Sequence, residues 1–423
     1  MSNTSTQENR RPVLGINSLG RIGKLTLWHH IQRKYFQEIV VNQGRDIGMG
    51  METIARLIEA DATYGLLHRF LYGYKAKPCI QITDDKNGKM IIDGIPVTIL
   101  RQERNPLNIP WRQYGADVVV DCSGSFKDPT VPVDDKKGSI RGHLNGGAKV
   151  VIHSAPFKIK NKALATPDDT ITLIYGINHT AFDPKKHLLV SAASCTTTGL
   201  AHMVKPLLDN EETSTILTAS MSTIHAVTNT QSVLDKLPKA GEKDIRKTRS
   251  ILNNIILTST GAAKALIEVI PEVKNIGFMG DSIRVPTNTL SLIVLNATFQ
   301  AKRNGKGDAA NIDTKKLNDI YEKTAQATPL VRFTMQQNVS TDLIGEDAAI
   351  IIEGQFNHTR TAFIPVDLSQ IPNLPAGLLD SLKEKTLQLP VVHAKIFGWY
   401  DNEYGSYTNR MGDLTVYIHK NIQ

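Results

Sequence analysis

A chain of 423 residues is long enough for two domains and too long for one ordinary hydrophobic core. Hydrophobic residues make up 41% and charged residues 21%, which favours a soluble globular protein over a disordered or fibrous one. The net charge is +8, but lysine and arginine are spread without a dense basic run and no apolar run reaches bilayer length, so we expect neither a nucleic-acid nor a membrane partner.

The N-terminal residues 1–11 are polar and lack the apolar stretch of a signal peptide, so we expect a flexible tail and a cytoplasmic protein. The three cysteines, Cys79, Cys122 and Cys195, cannot form a disulfide framework. Their spacing fits no metal site, which favours reduced thiols and no bound metal.

A strand–helix–strand pattern follows the tail. An apolar run at 12–17 precedes helical spacing over 21–35, and a second strand-like run lies at 38–42. Such a unit pairs its strands in parallel through a right-handed crossover. Further apolar runs lie at 116–120, 148–152, 171–175 and 188–191. The pattern predicts an α/β fold whose residues 12–194 form a doubly wound, Rossmann-type dinucleotide domain.

The pattern of elements changes after residue 194. Strand-like runs lie at 213–223, 284–299 and 348–353, and helical spacing lies at 264–270 and 315–326. Strands and helices separated in this way predict an α+β catalytic domain with a mostly antiparallel sheet covered by helices on one face. We assign it residues 195–400, with an insertion near 365–390, and expect the segment 401–423 to pack back on the first domain.

The segment after the first strand reads N-S-L-G-R-I-G and lies where a dinucleotide fingerprint belongs. Gly20 would let the backbone approach a pyrophosphate, and Gly23 would permit close contact between helix and strand. Ser18 replaces the first glycine of the usual pattern. Taken alone, the motif fits an ordinary strand–turn–helix equally well.

The end of the second strand bears on the choice of cofactor. An acidic residue there would bind the ribose hydroxyls of NAD, but this strand is followed by Gln43. Gln43 would not repel a 2′-phosphate, and Arg45 is close enough in sequence to attract one. Arg45 is equally well explained as a solvated loop residue, so NAD and NADP both remain open.

Cys195 follows a strand-like run and opens an amphipathic helix. The exposed N–H groups of a helix N-terminus stabilise a thiolate there. A lone cysteine is more often buried and inert, but the neighbouring hydroxyl groups of Ser194 and Thr196 would be poorly satisfied in an apolar core. His225 ends an alternating strand and enters a hydroxyl-rich loop, where it could take the proton of Cys195.

These segments resemble the glyceraldehyde-3-phosphate dehydrogenase family over nearly the whole chain. Five motifs carry the resemblance, in the family's order: ASCTTT at 193–198, HAVTNTQ at 225–231, STGAAKA at 259–265, RVPT at 284–287 and WYDNEYG at 399–405. The resemblance implies oxidation of glyceraldehyde 3-phosphate to 1,3-bisphosphoglycerate, an acyl phosphate, with inorganic phosphate and NAD(P) as co-substrates, through a thiohemiacetal and a thioester on Cys195. It places NAD first as cofactor and implies a homotetramer.

The family's site residues map onto this sequence one by one. The resemblance implies catalytic roles for Cys195 and His225. It implies phosphate binding by Ser194, Thr196, Thr228, Thr260, Gly261 and Arg284, whose forked guanidinium suits a phosphate. It implies dinucleotide contacts by Gly20, Arg21, Ile22, Gly23, Gln43, Arg104, Ser154 and Asn402.

Three departures from the family pattern lie near the expected site. Thr198 and Lys247 stand where asparagine and arginine are usual, and Ser406 replaces a tyrosine for which Tyr407 could substitute. Thr198 and Lys247 keep erythrose-4-phosphate dehydrogenase, which uses a different acyl acceptor, as an alternative. A non-catalytic binding paralogue is a further alternative, although such a protein is expected to lose Cys195, His225 or Arg284.

Overall fold

The structure is a computed structural model that describes residues 11–303, 308–309 and 312–423, so nearly all of the predicted N-terminal tail lies outside the described residues. The chain divides into two compact units. The first unit comprises Met1–Thr198, Ile344–Asp347 and Asp401–Gln423, and the second comprises Gly199–Leu343 and Ala348–Tyr400. None of the described helices combines the length and apolarity needed to cross a bilayer.

The strands of the first unit are β1 (Val13–Asn17), β2 (Glu38–Asn42), β3 (Ala60–Asp61), β4 (Gly65–Leu66), β5 (Ile80–Asp84), β6 (Lys89–Ile92), β7 (Ile95–Leu100), β8 (Ala116–Asp121), β9 (Val150–His153), β10 (Thr170–Thr172) and β11 (Leu189–Ser191). The strands of the second unit are β12 (Ile216–His225), β13 (Ile256–Ser259), β14 (Gly277–Arg284), β15 (Ser291–Gln300), β16 (Val331–Thr334), β17 (Ile350–Glu353), β18 (His358–Asp367) and β19 (Thr386–Tyr400). The helices are α1 (Arg21–Arg33), α2 (Met51–Glu59), α3 (Leu67–Tyr72), α4 (Trp111–Tyr114), α5 (Gly142–Asn145), α6 (Cys195–Asp209), α7 (Ala262–Val269), α8 (Thr314–Ala327), α9 (Ala376–Ser381) and α10 (Asn409–Asn421).

The first unit is built on a nine-stranded sheet with the order β10-β11-β9-β8-β1-β2-β7-β6-β5. Its strands pair in parallel from β10 to β7, while β6 and β5 continue antiparallel at the edge. The chain order reverses at β1, which lies between β2 and β8. In open α/β sheets, ligands bind at the carboxyl ends of the strands beside such a reversal. The predicted doubly wound, Rossmann-type fold is confirmed.

Both faces of the central strands β1, β2, β8 and β9 are buried, which explains why these strands read as nearly continuous apolar runs. Successive residues of β1 point to opposite sides, so Leu14 and Ile16 pack in one hydrophobic cluster and Val13 packs in the other. Trp28 of α1 and Met411 of α10 belong to the same cluster as Leu14. The packing of α1 and α10 on this face therefore fixes the position of α1 relative to β1.

The second unit is built on a sheet with the order β13-β14-β12-β15-β19-β17-β16, and β18 pairs with β19. Most of its strand pairs are antiparallel, but β12 pairs with β14 in parallel, as β16 does with β17. Buried residues alternate along β12 and β15, as expected for a sheet with one covered face. Tyr321 of α8 donates a hydrogen bond to the carbonyl of Met203 in α6, 2.8 Å away. The predicted mostly antiparallel α+β architecture is confirmed.

The single strand predicted over 284–299 is wrong. β14 ends at Arg284 and β15 begins at Ser291. Pro286 has no N–H to donate to a central ladder, and Leu290 has a φ of 67°, which interrupts an extended strand. The break reverses the chain, because β14 is parallel to β12 whereas β15 is antiparallel to it.

The predicted insertion near 365–390 falls at the outer part of the pair β18–β19. The pairing runs from His358 opposite Lys395 to Asp367 opposite Thr386. The short helix α9 lies between the two strands.

Candidate active site

A cavity of about 450 Å³ lies beside the turn from β1 to α1 in the first unit. Its lining brings together most of the residues that the sequence assigned to the phosphate-binding turn and to the end of β2: Ser18, Leu19, Gly20, Arg21, Lys24, Gln43, Arg45, Ile47, Ile54, Leu57 and Ile58. The carboxyl ends of β1 and β2 meet here because the two strands are parallel and in register from Val13 to Asn17. The position is the one expected for a dinucleotide.

The two glycines of this turn, Gly20 and Gly23, differ in how much space a side chain would have. A Cβ on Gly23 would lie 1.8 Å from the carbonyl oxygen of Ser18, so only glycine lets α1 approach the turn. A Cβ on Gly20 would meet only the hydroxyl of Ser18, at 3.7 Å, so this position opens towards free space. Ser18 itself has a φ of 83°, a conformation that favours glycine. The residue that departs from the fingerprint therefore keeps the backbone that the missing glycine would have.

The start of α1 carries two cations that are largely neutralised. Arg21 forms ion pairs with Asp61 and Glu403, and the Lys24 ammonium lies 2.6 Å from the carboxylate of Asp61. Burial alone would raise the pKa of Asp61, but the hydrogen bond from Lys24 and the charge of Arg21 hold it at about 2. Arg21 is therefore fixed at the rim of the cavity by two carboxylates.

Gln43 closes the cavity at the end of β2. Its Oε1 accepts a hydrogen bond from the backbone N–H of Leu19 at 3.2 Å, so its amide nitrogen is the group left for a ligand. Arg45 is exposed on the same lining. Of the described residues that line this cavity, none is acidic.

The other predicted dinucleotide residues lie elsewhere in the first unit. Arg104 is exposed and lies beside Gly44, immediately after Gln43. The backbone N–H of Ser154 donates to Asp121 at the end of β8. Ile22 is half-buried and Asn402 is buried; neither belongs to the cavity lining.

The turn from β11 to α6 presents the predicted nucleophile. Ala193 has a φ of 53°, and Cys195 is the first residue of α6. The hydroxyl of Ser194 accepts a hydrogen bond from the backbone N–H of Thr197 at 3.2 Å, as an N-cap does. Thr196 is buried, whereas Cys195 is half-buried. The sulfur thus lies in the first turn of a capped helix, where backbone N–H groups stabilise a thiolate.

Tyr407 packs against this turn. Its hydroxyl donates to the carbonyl of Ala193 at 3.3 Å. Burial raises the pKa of Tyr407, and the neighbouring thiols of Cys195 and Cys122 add to the shift. Ser406, at the position where the family has tyrosine, is fully buried.

In the second unit, the strand ends bring His225 and Arg284 together. Both are the last residues of their strands, and the parallel register of β12 and β14 places them side by side. The Arg284 Nη1 lies 2.6 Å from the His225 Nδ1 and donates to the carbonyl of Ala226 at 3.0 Å. The His225 Nδ1 also lies 2.7 Å from the same carbonyl.

The surroundings of His225 keep its ring neutral at pH 7. Burial, together with the positive charge of Arg284, lowers the pKa of His225 to about 4, against the opposing effect of the hydrogen bond to the Ala226 carbonyl. The ring of Tyr400 meets the imidazole edge-on at 6.1 Å between centroids. The Tyr400 hydroxyl lies 2.7 Å from that of Thr223, also on β12. A neutral, laterally supported imidazole can accept a proton.

The remaining predicted phosphate residues of the second unit are Thr228, Thr260 and Gly261. Thr228 is exposed, and its N–H and hydroxyl both bond to the side chain of Gln231 at 3.0 Å. Thr260 and Gly261 lie at the start of α7, where the Thr260 hydroxyl accepts from the N–H of Ala262 at 3.2 Å. The register places Ile256, and not Thr260, opposite Arg284.

Two residues in these places were not singled out by the sequence patterns. Lys24 lines the cavity because it follows Gly20 by one helical turn, a spacing that could have indicated it. Tyr400 belongs to the WYDNEYG motif, but only the pairing of β19 with β15 and of β15 with β12 brings it beside His225. Local spacing could reveal the first residue, whereas the second needed the sheet.

A Rossmann-type domain with a glycine turn and a second domain with a mostly antiparallel sheet define a nicotinamide-dinucleotide oxidoreductase. Residues 13–129 match the NAD-binding domain, and residues 194–366 the C-terminal domain, of glyceraldehyde 3-phosphate dehydrogenase. The chain belongs to the glyceraldehyde-3-phosphate dehydrogenase family.

Three relatives share nearly the full length of the chain. A glyceraldehyde-3-phosphate dehydrogenase of Streptomyces coelicolor is 32% identical over 412 residues, covering 96% of this chain and 98% of the relative. The glyceraldehyde-3-phosphate dehydrogenase 1 of Bacillus cereus is 30% identical, with coverage of 96% and 98%. The corresponding protein 1 of Trichormus variabilis is 33% identical, with coverage of 95% of each chain.

Proposed function

We propose that this protein oxidises glyceraldehyde 3-phosphate and transfers the acyl group to inorganic phosphate, forming 1,3-bisphosphoglycerate. The observation that carries the proposal is the position of Cys195 as first residue of α6, behind the capping hydroxyl of Ser194. A sulfur there is suited to nucleophilic attack, because the helix N-terminus stabilises its anionic form. The family relatives support the same reaction.

The proposed first step is attack of the Cys195 sulfur on the aldehyde carbon, while His225 accepts the thiol proton and the product is a thiohemiacetal. His225 is suited to this role because its ring is neutral at pH 7. The proton on His225 would pass to the substrate oxygen to complete the thiohemiacetal. Held in the first-unit cavity by residues such as Gly20 and Gln43, NAD or NADP would supply a hydride acceptor. Loss of the hydride from the thiohemiacetal carbon and of the hydroxyl proton to His225 would leave a thioester on Cys195. An oxygen of inorganic phosphate then attacks the thioester carbon, the C–S bond breaks, and Cys195 leaves as thiolate.

Two anions must be held for this chemistry. We assign the phosphate ester of the substrate to Thr228 and Arg284, and the attacking phosphate to Ser194, Thr196, Thr260 and Gly261. Arg284 can offer two parallel N–H donors to a phosphate. A Cβ on Gly261 would meet open space, so the N-terminus of α7 has room for an anion.

We further propose that the cavity of the first unit accepts NADP as well as NAD. The side-chain oxygen of Gln43 accepts a hydrogen bond from the backbone N–H of Leu19, so the side-chain nitrogen of Gln43 can donate to a 2′-phosphate. Arg45 adds a positive charge to the cavity. A carboxylate at the Gln43 position would repel that phosphate.

Steady-state rates with glyceraldehyde 3-phosphate and erythrose 4-phosphate, each with and without inorganic phosphate, test the proposed reaction. We expect the first aldehyde to be preferred and the rate to require phosphate. A rate that is independent of phosphate would favour an erythrose-4-phosphate dehydrogenase. Dinucleotide binding without turnover of either aldehyde would favour a binding paralogue.

The cofactor proposal is tested with Gln43→Asp. We expect the ratio of NADP to NAD affinity to fall by about tenfold, which corresponds to about 1.4 kcal/mol of repulsion. Gln37→Asp makes the same change of charge on an exposed residue before β2 and is expected to leave the ratio unchanged. An equal ratio in both variants, measured by calorimetry, would contradict a 2′-phosphate site at Gln43.

We propose that the protein assembles as a homotetramer. The segment between β12 and β14 exposes large apolar side chains, including Leu234, Leu237 and Ile255, and Met279 is exposed on β14 itself. Large apolar side chains exposed in one segment often mark contact sites, and symmetric assembly is common for soluble enzymes. Sedimentation equilibrium tests the proposal, and Leu237→Glu is expected to weaken the assembly. A monomer at micromolar concentration would contradict it.

A further inference from the structure

Tyr407 contacts the turn that carries the proposed nucleophile. Both belong to the first unit, and the Tyr407 hydroxyl donates to the Ala193 carbonyl at 3.3 Å. The phenol ring is buried, with only 4% of the residue exposed. Burial raises the pKa of Tyr407, and the neighbouring thiols of Cys195 and Cys122 add to the rise, so the hydroxyl keeps its proton at neutral pH. Tyr407 is therefore a hydrogen-bond donor at this turn and not a base.

Ala193 is the residue of this turn whose conformation needs support. Its φ of 53° lies in the left-handed region, which is unfavourable for a residue with a Cβ. Its N–H donates to the hydroxyl of Ser191 at 3.1 Å, and its carbonyl accepts from Tyr407. Ala193 is fully buried, where an unpaired carbonyl is costly. Cys195 begins α6 two residues later, so the conformation of Ala193 sets the position of the sulfur.

The phenol that makes this contact extends from a widened helical turn, Tyr404–Thr408. The N–H groups of Ser406 and Thr408 donate to the carbonyls of Asp401 and Glu403, at 3.1 and 2.9 Å. Each bond spans five residues, as in a π-helix, rather than the four of an α-helix. Residues three apart share one face of an α-helix, whereas the wider π-turn separates them.

The two tyrosines of this π-turn point to different parts of the first unit. Tyr404 stacks on the ring of His29 at 3.9 Å between centroids, and its hydroxyl donates to Gln32 at 2.8 Å. Tyr407 instead contacts the turn before α6. A Cβ on Gly405, between them, would lie 2.0 Å from a backbone carbonyl oxygen, so only glycine lets the π-turn pack here. The packing of the π-turn thus directs Tyr407 towards the proposed nucleophile.

We propose that Tyr407 is a positioning residue for the nucleophile: its hydroxyl holds the Ala193 carbonyl and so keeps Cys195 aligned with the N–H groups of the first turn of α6. Without this contact, the turn relaxes from its left-handed conformation, and the sulfur moves away from the donors that stabilise its anion. The inference rests on the proposed role of Cys195. It extends that role to a residue that lies 214 positions after Ala193 in the chain.

The direct test compares alkylation of Cys195 by iodoacetamide in Tyr407→Phe and in the wild-type protein, as a function of pH. Phenylalanine keeps the buried ring and removes only the hydroxyl. We expect the midpoint of the profile to move to higher pH, so that the variant reacts about threefold more slowly on the rising part, within the effect of one hydrogen bond. Above both midpoints the rates should approach each other, because both thiols are then ionised. Mass spectrometry of the Cys195 peptide separates this site from Cys79 and Cys122.

Tyr404→Phe is the matched control. It removes a buried hydroxyl from the same π-turn, but the hydrogen bond that is lost is to Gln32 and not to the turn of the nucleophile. We expect its alkylation profile to coincide with that of the wild type, while urea unfolding shows a comparable loss of stability in both tyrosine variants. An equal shift of the two profiles would attribute the effect to a weakened π-turn, rather than to the Ala193 contact, and would overturn the inference.

A double-mutant cycle tests whether Tyr407 acts through Ala193. Glycine adopts a positive φ without strain, so Ala193→Gly should keep the turn in its conformation with less need for the Tyr407 hydroxyl. We expect Tyr407→Phe to shift the alkylation profile less in the Ala193→Gly background than in the wild-type background. A shift of the same size in both backgrounds would mean that the hydroxyl does not act by holding this turn, and would contradict the proposal.

Turnover distinguishes this inference from the proposed function. We expect Tyr407→Phe to lower kcat by about threefold and to leave the KM for the aldehyde and the dinucleotide affinity unchanged. An unchanged alkylation profile overturns the inference even if kcat falls, because a lower kcat alone has other causes. A profile that shifts as expected in a protein that oxidises no aldehyde supports the inference and refutes the proposed reaction. A wild-type Cys195 that resists alkylation at every pH overturns both.

Discussion

Two strand-to-helix turns of the first unit start alike and end differently. After β1 and after β11, a residue other than glycine adopts a positive φ, 83° at Ser18 and 53° at Ala193. In the second turn, the hydroxyl of Ser194 caps α6. The N-cap residue of α1 is Gly20, which has no side chain that could accept such a hydrogen bond.

The presence or absence of a side-chain cap determines what the N-terminus of each helix can bind. Backbone N–H groups of the first turn need acceptors. In α6, the hydroxyl of Ser194 is the acceptor for one of these N–H groups. The partial positive charge of the helix N-terminus favours an anionic sulfur at Cys195. In α1, the bare cap leaves those donors for an external anion, as in dinucleotide-binding turns. The capped turn is suited to the proposed nucleophile, and the uncapped turn is suited to a ligand.

The largest expected effect separates the two turns by function. Cys195→Ser should lower turnover by at least about 10³-fold, because the hydroxyl is a far weaker nucleophile, while dinucleotide affinity stays unchanged. The measurements are the steady-state rate and a calorimetric titration with NAD and NADP. Cys79→Ser, at another half-buried cysteine of the first unit, should keep full turnover. Equal turnover in both variants would contradict the assignment of Cys195 as the nucleophile.

The next effect divides the two glycines of the uncapped turn. Gly23→Ala should destabilise the first unit by about 2 kcal/mol, since its Cβ would lie 1.8 Å from a backbone oxygen. Gly20→Ala should fold normally but bind the dinucleotide at least about tenfold more weakly, because its Cβ occupies the space of the ligand. Urea unfolding and cofactor titration measure the two effects. Equal stability of the two variants would contradict the packing argument.

A smaller effect concerns the cap itself. Ser194→Ala removes the acceptor of the Thr197 N–H and should cost about 1 kcal/mol of the free energy of unfolding. It should also slow alkylation of Cys195 at pH 7, if the capped first turn orients the donors that favour the thiolate. Ser194→Asp, which restores an acceptor, should recover the stability. Unfolding curves and iodoacetamide kinetics are the readouts, and unchanged stability of Ser194→Ala would show that the hydroxyl is not a cap.

The smallest effect compares the two left-handed residues. Ala193→Gly should stabilise the protein by about 0.5 kcal/mol, because relief of the positive φ exceeds the added entropy of the unfolded chain. Ser18→Gly should give less, because it also removes the 3.3 Å contact between the Ser18 hydroxyl and the N–H of Gly20. Thermal unfolding under identical conditions ranks the two variants. A loss of stability in Ala193→Gly would contradict strain at this turn.

Local sequence patterns predicted much of the fold and part of the candidate site. Apolar runs and helical spacing located the Rossmann-type domain, and the cysteine at the start of a helix identified Cys195 as a candidate nucleophile. These features depend on neighbours within a few residues, so composition and periodicity carry them. The same local view joined 284–299 into one strand, because the apolar pattern after Arg284 outweighed the break at Pro286.

Only the tertiary structure decided which distant groups meet. The parallel register of β12 and β14 puts Arg284 beside His225, 59 residues away in the chain. Burial of the histidine and then the charge of this arginine lower the pKa of His225. Arg21 similarly finds Glu403, 382 residues away. Such pairings follow from sheet order and burial of the whole chain, and no short segment of sequence contains the free energy that selects them.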